Sequence, residues 1–158
     1  MSEKIEVSET GIIVVDHGSH RDESNRIHLD LVRMFERSTS FAIIEPAHME
    51  LAEPSLASAF QRCVERGARL VVIHPYFLLP GRHWEEDIPR LAAEAAQQHA
   101  GVSYLVTAPI GLHPRMAEVI HDRVRQCMDR ALRGGDACDL RETTDRCGSR
   151  TNTTTARG

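Results

Sequence analysis

Imidazoles and carboxylates cluster where short apolar runs of this chain come to an end. There are nine histidines in 158 residues. Four segments hold the interesting ones: Asp16-His17-Gly18-Ser19-His20; Glu45 through His48, Glu50 and Glu53; His74 through Pro80-Gly81-Arg82-His83; and Pro109 through His113. Neutral imidazole is the commonest transition-metal ligand, and nitrogen with oxygen donors suits iron, cobalt, nickel or zinc. Imidazole also accepts protons near neutral pH. A metal or acid–base site follows if the fold brings these segments together.

Each of these residues also has a plainer reading. His17 serves equally as a loop histidine bonded to a strand end, and Gly18-Ser19 as an anion-binding turn at a helix start. His83 serves equally as a cap for the helix that follows it. His48 reads as a half-buried strand histidine, and His74, before Pro75, as a strand terminator. His28, His99 and His121 read as surface residues. Glu85, Glu86 and Asp87 suit the positive end of a helix dipole, as do Glu50 and Glu53, although Glu50 lies nearer the expected site.

The elements that must position these residues are legible from periodicity. Gly11–Asp16 is a continuous apolar run and reads as a buried strand. Asp22–Arg37 carries Ile27, Leu31, Met34 and Phe35 at helical spacing. Phe41–Glu45 is a second strand, continuing toward Met49. Glu53-Pro54-Ser55 opens a second helix with Pro54 in its first turn, with Leu56, Ala59, Phe60, Cys63 and Val64 on its apolar face and Gly67 as its stop. A third strand spans Arg69–Pro75, a third helix Trp84–His99, a fourth strand Val102–Thr107 and a fourth helix Pro114–Leu132, with Met116, Val119, Ile120, Val124 and Cys127 inward. Four strands alternating with four helices predict an α/β fold: one domain, a doubly wound four-stranded parallel sheet with helices on both faces. Ligands of such sheets bind beyond the carboxyl ends of the strands, where the histidines lie.

Composition narrows the function further. The formal net charge is -4, without the basic footprint of a nucleic-acid binder. No apolar run reaches the roughly 18–20 residues of a membrane span. Residues 1–10 are polar and acidic, unlike a secretory or transit segment, so a cytoplasmic location is the default expectation, and a plastid one only if a transit peptide precedes this chain. Cys63, Cys127, Cys138 and Cys147 form no CxxC pair, and no disulfide framework is expected. Residues 1–10 read as a polar extension, 11–132 as the domain and 133–158, rich in Thr, Asn, Arg and Gly, as a disordered polar tail.

Three stretches together carry a family resemblance: His17-Gly18-Ser19 after a Val-rich strand, Glu45-Pro-Ala-His-Met-Glu-Leu-Ala-Glu-Pro-Ser55, and His74-Pro-Tyr-Phe-Leu-Leu-Pro-Gly-Arg-His83. The chain resembles the CbiX/SirB sirohydrochlorin chelatases from about Gly11 to Arg130, and Val102–His113 is similar to plant and algal SirB ferrochelatases. The resemblance implies the chelatase fold, a homodimer, and insertion of a divalent metal into sirohydrochlorin. It implies His17 as proton acceptor and metal ligand and His83 as second metal ligand. It further implies that Glu50 and the stretch Leu78, Leu79, Pro80, Gly81, Arg82 and His83 contact substrate. Arg21 and Arg82 suit the carboxylates of sirohydrochlorin. The metal, Fe²⁺ or Co²⁺, is substrate, and no cofactor is required. An iron–sulfur cluster, which some plant-type relatives bind in a Cys-rich tail, needs four thiolates and is not expected from Cys138 and Cys147.

Ferrochelation of sirohydrochlorin, giving siroheme, is the leading expectation. Cobalt insertion for cobalamin, or nickel insertion, is the alternative within the class. A metal or tetrapyrrole carrier that does not catalyse insertion is the alternative from another class. A flavodoxin-like phosphate binder is weaker, because the first loop lacks a Gly-rich cradle.

Overall fold

A computed structural model describes residues 6–133. The tail expected from residue 134 onward, with Cys138 and Cys147, lies outside the described residues. The chain divides into two compact units, one up to Leu112 and one from His113.

The first unit is built on a four-stranded parallel sheet in the order β2-β1-β3-β4. The strands are β1 (Thr10–Asp16), β2 (Ile43–His48), β3 (Leu70–Pro75) and β4 (Ser103–Val106). A single turn of 3₁₀-helix, Val7–Glu9, leads into β1. β1 is central, with Gly11 opposite Ile43 on one side and opposite Val71 on the other. Its residues are buried on both faces, which is why the run is continuously apolar instead of alternating.

The helices are α1 (Asp22–Ser38), α2 (Leu56–Glu65) and α3 (Ile88–Ala96). One core holds Ile13, Val15, Ile43, Ala47, Val71 and Ile73 against Phe60 and Cys63 of α2 and Ile88 and Ala92 of α3. The alternate strand residues Ile12, Val14 and Ile44 pack against Val32 of α1. The period-two side-chain direction of the strands thus sorts the core into two layers, and helices cover both faces as expected. The α1 face also carries an apolar groove of about 440 Å³, lined by Leu31, Phe35, Phe41, Val72, His74 and Tyr76 among others.

Three local expectations need correction. α2 begins at Leu56 with Ser55 as its N-cap, its hydroxyl accepting the Ser58 N–H at 3.3 Å, so Pro54 precedes the cap instead of sitting in the first turn. The capping hydroxyl outcompetes proline for the helix start. The third helix begins with a π-type turn, His83–Asp87, before α3 proper. The buried face of α1 is set by His28 and Val32, while Ile27 and Met34 are exposed. A buried imidazole bonded to the Val14 carbonyl replaces an aliphatic there, and periodicity counted on aliphatics alone points the helix one residue away.

The second unit, over its described residues, is α4 (Pro114–Arg133). Its stripe is amphipathic as expected. The expectation that it faces inward is not met, since Val119, Ile120 and Val124 are each at least half exposed. Among the described residues of its unit the helix is the only element.

Candidate functional site

The first site residue is positioned by the ladder between β1 and β2, which continues past the strand ends. The Met49 N–H donates to the Asp16 carbonyl at 2.8 Å, and the Glu50 N–H to the His17 carbonyl at 3.1 Å. Gly18 turns the chain at φ +85°, and its N–H donates to Asp16 Oδ1 at 3.0 Å. A Cβ at position 18 would lie 1.9 Å from the Glu50 carbonyl oxygen. Only glycine permits both the left-handed backbone and this approach.

Held in this way, His17 and Glu50 meet at their tips. The Nδ1 of His17 lies 3.2 Å from the Gly18 carbonyl and its Nε2 lies 2.9 Å from Glu50 Oε1. Both partners can only accept, so the single proton of a neutral ring serves one of them and leaves the other nitrogen's lone pair facing an oxygen. A second proton, or a metal ion between Nε2 and the carboxylate, satisfies both contacts. Both side chains are open to solvent, 42% and 52% exposed.

His83 enters from the π-type turn after β3. Its Nδ1 lies 2.8 Å from Asp87 Oδ2, and the carboxylate must accept. This hydrogen bond from His83 is the chief reason the Asp87 carboxyl is held below the ordinary carboxylate range, with Arg82 and Arg90 adding to it. The proton of His83 is therefore on Nδ1, and Nε2 keeps its lone pair. Its ring stands 5.0 Å from that of His17, edge to face. A cleft of about 420 Å³ adjoins, lined by Met49, Glu50, Arg82, His83, Asp87, Arg90 and Leu91. Two imidazoles and one carboxylate thus stand together at an exposed edge of the sheet, donor types that can hold a divalent ion without enclosing it.

The structure brings together three residues singled out from sequence: His17, Glu50 and His83. Leu78, Leu79, Pro80, Gly81 and Arg82 are exposed on the segment leading to His83. Arg82 stands 3.5 Å from Glu86. Arg21 and His20 are exposed, and Arg21 precedes α1. His74 is bonded to Thr107 Oγ1 at 2.8 Å, and burial holds its imidazolium below the ordinary histidine range. His113 opens the second unit, its ring accepting the Arg115 N–H at 3.2 Å. His99 is half-buried against the Phe60 ring, not a surface residue, while His121 is exposed as expected. Burial pushes the Cys63 thiol up to about 12, which removes it as a nucleophile or ligand at neutral pH.

Other chemically relevant residues were not visible in the pattern. Asp87 reads in sequence as a dipole residue, yet it orients His83; its signal is the i,i+4 spacing on one helical face. His28, read as a surface residue, is 4% exposed and bonded through Nε2 to the Val14 carbonyl at 3.1 Å. His48 is fully buried, with Nδ1 2.5 Å from Asp16 Oδ1. These two and Asp16 form a second cluster behind the loop that carries His17.

Among known proteins, the chain is 50% identical over 137 residues to the chloroplastic sirohydrochlorin ferrochelatase of Arabidopsis thaliana, covering 87% of this chain and 61% of that one. It therefore spans less than two thirds of that relative's length. The cobalt complex of SirB from Bacillus subtilis subspecies spizizenii superposes with a TM-score of 0.71 at 25% identity, over 75% of this chain and 50% of that one. A CbiX protein of Marinobacter aquaeolei VT8, described as one of cobalamin biosynthesis, superposes with a TM-score of 0.67 at 31% identity, over 77% of this chain and 98% of that one. The CbiX profile matches residues 11–127. With that match over most of the chain, on a parallel sheet whose strand ends gather two imidazoles and a carboxylate, this protein belongs to the CbiX family.

Proposed function

We propose that this chain is a sirohydrochlorin ferrochelatase, inserting Fe²⁺ into sirohydrochlorin. The observation that carries the reading is the His17–Glu50–His83 arrangement: two exposed imidazoles with ring centres 5.0 Å apart and a carboxylate 2.9 Å from His17 Nε2. Insertion breaks two pyrrole N–H bonds, forms the metal–nitrogen bonds and releases two protons. A site for it must hold the ion with open positions and accept protons one after the other. His17 takes each proton on Nε2 as the metal leaves it, and Glu50, 2.9 Å away, passes the proton on to water. His83, oriented by Asp87, keeps the ion beside His17 until transfer. The exposed Leu78–Arg82 segment lies against the apolar and carboxylate-bearing faces of the macrocycle, with Arg82 pairing with a carboxylate.

The choice of iron rests on the 50% identity to the plant ferrochelatase. A second reading, cobalt insertion, is favoured by a relative of Priestia megaterium named as a sirohydrochlorin cobaltochelatase, 25% identical over 137 residues. The donor set itself binds Co²⁺ more tightly than Fe²⁺, so cellular supply would decide between them.

Two further elements belong to this reading. The chain matches half of the SirB chain but nearly all of the Marinobacter one, and two copies would supply what the longer chain carries in one, so the working form is a homodimer. The working compartment is the cytoplasm or, as for the Arabidopsis relative, the plastid; among the described residues no helix is long and apolar enough to cross a membrane.

The test is insertion into sirohydrochlorin with Fe²⁺, Co²⁺ and Ni²⁺ in parallel, followed by absorbance. Wild-type protein should exceed the uncatalysed rate with Fe²⁺. His17→Ala should lower that rate by at least about a hundredfold, the lower end for loss of a general base. Binding of metal and macrocycle with no gain over the uncatalysed rate would make the chain a carrier and overturn the proposal.

A further inference from the structure

The structure assigns a second divalent-metal site, separate from the His17–Glu50–His83 set, to Asp16, His28 and His48. Among the described residues, this is the one group of three or more His, Cys, Asp or Glu side chains whose donor atoms all lie within 4.8 Å of one another. The three come from three elements: Asp16 ends β1, His48 ends β2 and His28 lies on α1. None of them belongs to the solvent-exposed set.

The hydrogen-bond inventory points to a missing partner. Four buried side-chain polar atoms among the described residues have none; two belong to this group, His28 Nδ1 and His48 Nε2, and a third is Asn25 Oδ1. Asn25 and His28 are three residues apart on α1 and share a face. His28 donates its Nε2 proton to the Val14 carbonyl, so the neutral ring aims the Nδ1 lone pair at Asp16 Oδ2, 3.6 Å away. Two acceptors facing each other out of water repel unless a positive charge lies between them. A metal ion between them would supply that charge. Two donors each about 2.1 Å from one ion stand roughly 3.0–3.6 Å apart for angles between about 90° and 120°. The His28–Asp16 separation is at the wide end of that range.

The donor types set the class of ion. Two imidazoles and one carboxylate suit a borderline transition metal such as Zn²⁺, Co²⁺ or Fe²⁺, and are poor for Mg²⁺ or Ca²⁺, which prefer oxygen. The two sites differ in kind. The His17 set is open, as delivery of an ion requires, whereas His28 and His48 are 4% and 0% exposed and would retain one. An ion here would tie β1, β2 and α1 together one residue before His17.

The test is a Co²⁺ titration of tag-free, metal-stripped protein, read by the visible d–d bands and by metal analysis after desalting. The variants are His17→Ala/His83→Ala, and the same pair with His28→Leu. The double variant should keep one tightly bound equivalent with a four- or five-coordinate spectrum, and the triple variant should lose it, with affinity down at least tenfold. Absence of a tight equivalent in the double variant overturns the site, as does its persistence in the triple variant. Far-UV circular dichroism and melting confirm folding of each variant. Should His28→Leu fail to fold, an anomalous difference map of the double variant with Co²⁺ decides: a peak between His28 and Asp16 supports the site, and its absence there overturns it. If instead wild type and the double variant bind the same single equivalent, the His17/His83 reading fails and this one stands.

Discussion

A methyl group at position 18 would meet the Glu50 carbonyl oxygen at 1.9 Å, in a backbone conformation that L-residues avoid. Gly18→Ala should therefore destabilise the fold by at least about 1–2 kcal/mol from the backbone alone, read by urea denaturation. It should also separate His17 from Glu50 and depress metal insertion beyond what the stability loss explains. Asp87 acts at the other imidazole. Asp87→Ala frees the His83 ring to rotate and exchange tautomers, and Co²⁺ affinity at the open site should fall about 10- to 100-fold, the usual range for loss of a ligand-orienting carboxylate. Asp87→Asn, which keeps an acceptor oxygen, should fall less; isothermal titration separates the two. The positions of His17 and His83 were legible because both stand at strand-end segments, where a parallel sheet exposes its ligands. Asp87 and His28 were not, because an acid in a first helical turn and a polar residue at an inward helix position have commoner explanations than the ones they have here.

The elements that carry these residues were easier to find than their edges. β1 and β3 are buried runs that no other element of their length explains, and α2 is bounded by Ser55 and by Gly67 at φ +97°. The π-type turn left no trace in the pattern, because its residues are good helix formers and only the path of the backbone distinguishes them. One element interface should report on pH. His74 of β3 is bonded to Thr107 and partly buried, and its imidazolium is held below the ordinary value of 6.5. Above that value the ring is neutral in both folded and unfolded chains. As pH falls below it the unfolded chain takes up the proton first, so stability is lost as pH drops through the lowered folded value. Melting temperature should decline as pH falls below the ordinary histidine value, and His74→Asn should flatten that decline. An unchanged slope in the variant would place the effect on other groups.

At the scale of the whole molecule, the parallel order and the two-layered core follow from the alternation of strands and helices, and the fold class was readable for that reason. The stripe on α4 shows the limit. Amphipathic spacing establishes that a helix has an apolar side, and it cannot say what meets that side. The proposed homodimer is tested at this scale: light scattering coupled to size exclusion should return about twice the 17.7 kDa of one chain. A monomeric mass together with full insertion activity would show that one copy suffices.

The continuation of the β1–β2 ladder through Asp16–Met49 and His17–Glu50 has a consequence for how such chains can change length. The distance between the proton acceptor and its carboxylate is counted in rungs, not in loop length. Residues can be added or lost in the connection after α1, around Thr39 and Ser40, without altering that count. A single residue gained or lost between Ile43 and Glu50 turns the carboxylate to the opposite face of the sheet. Length variation in this lineage is therefore permitted on one side of β2 and barred on the other.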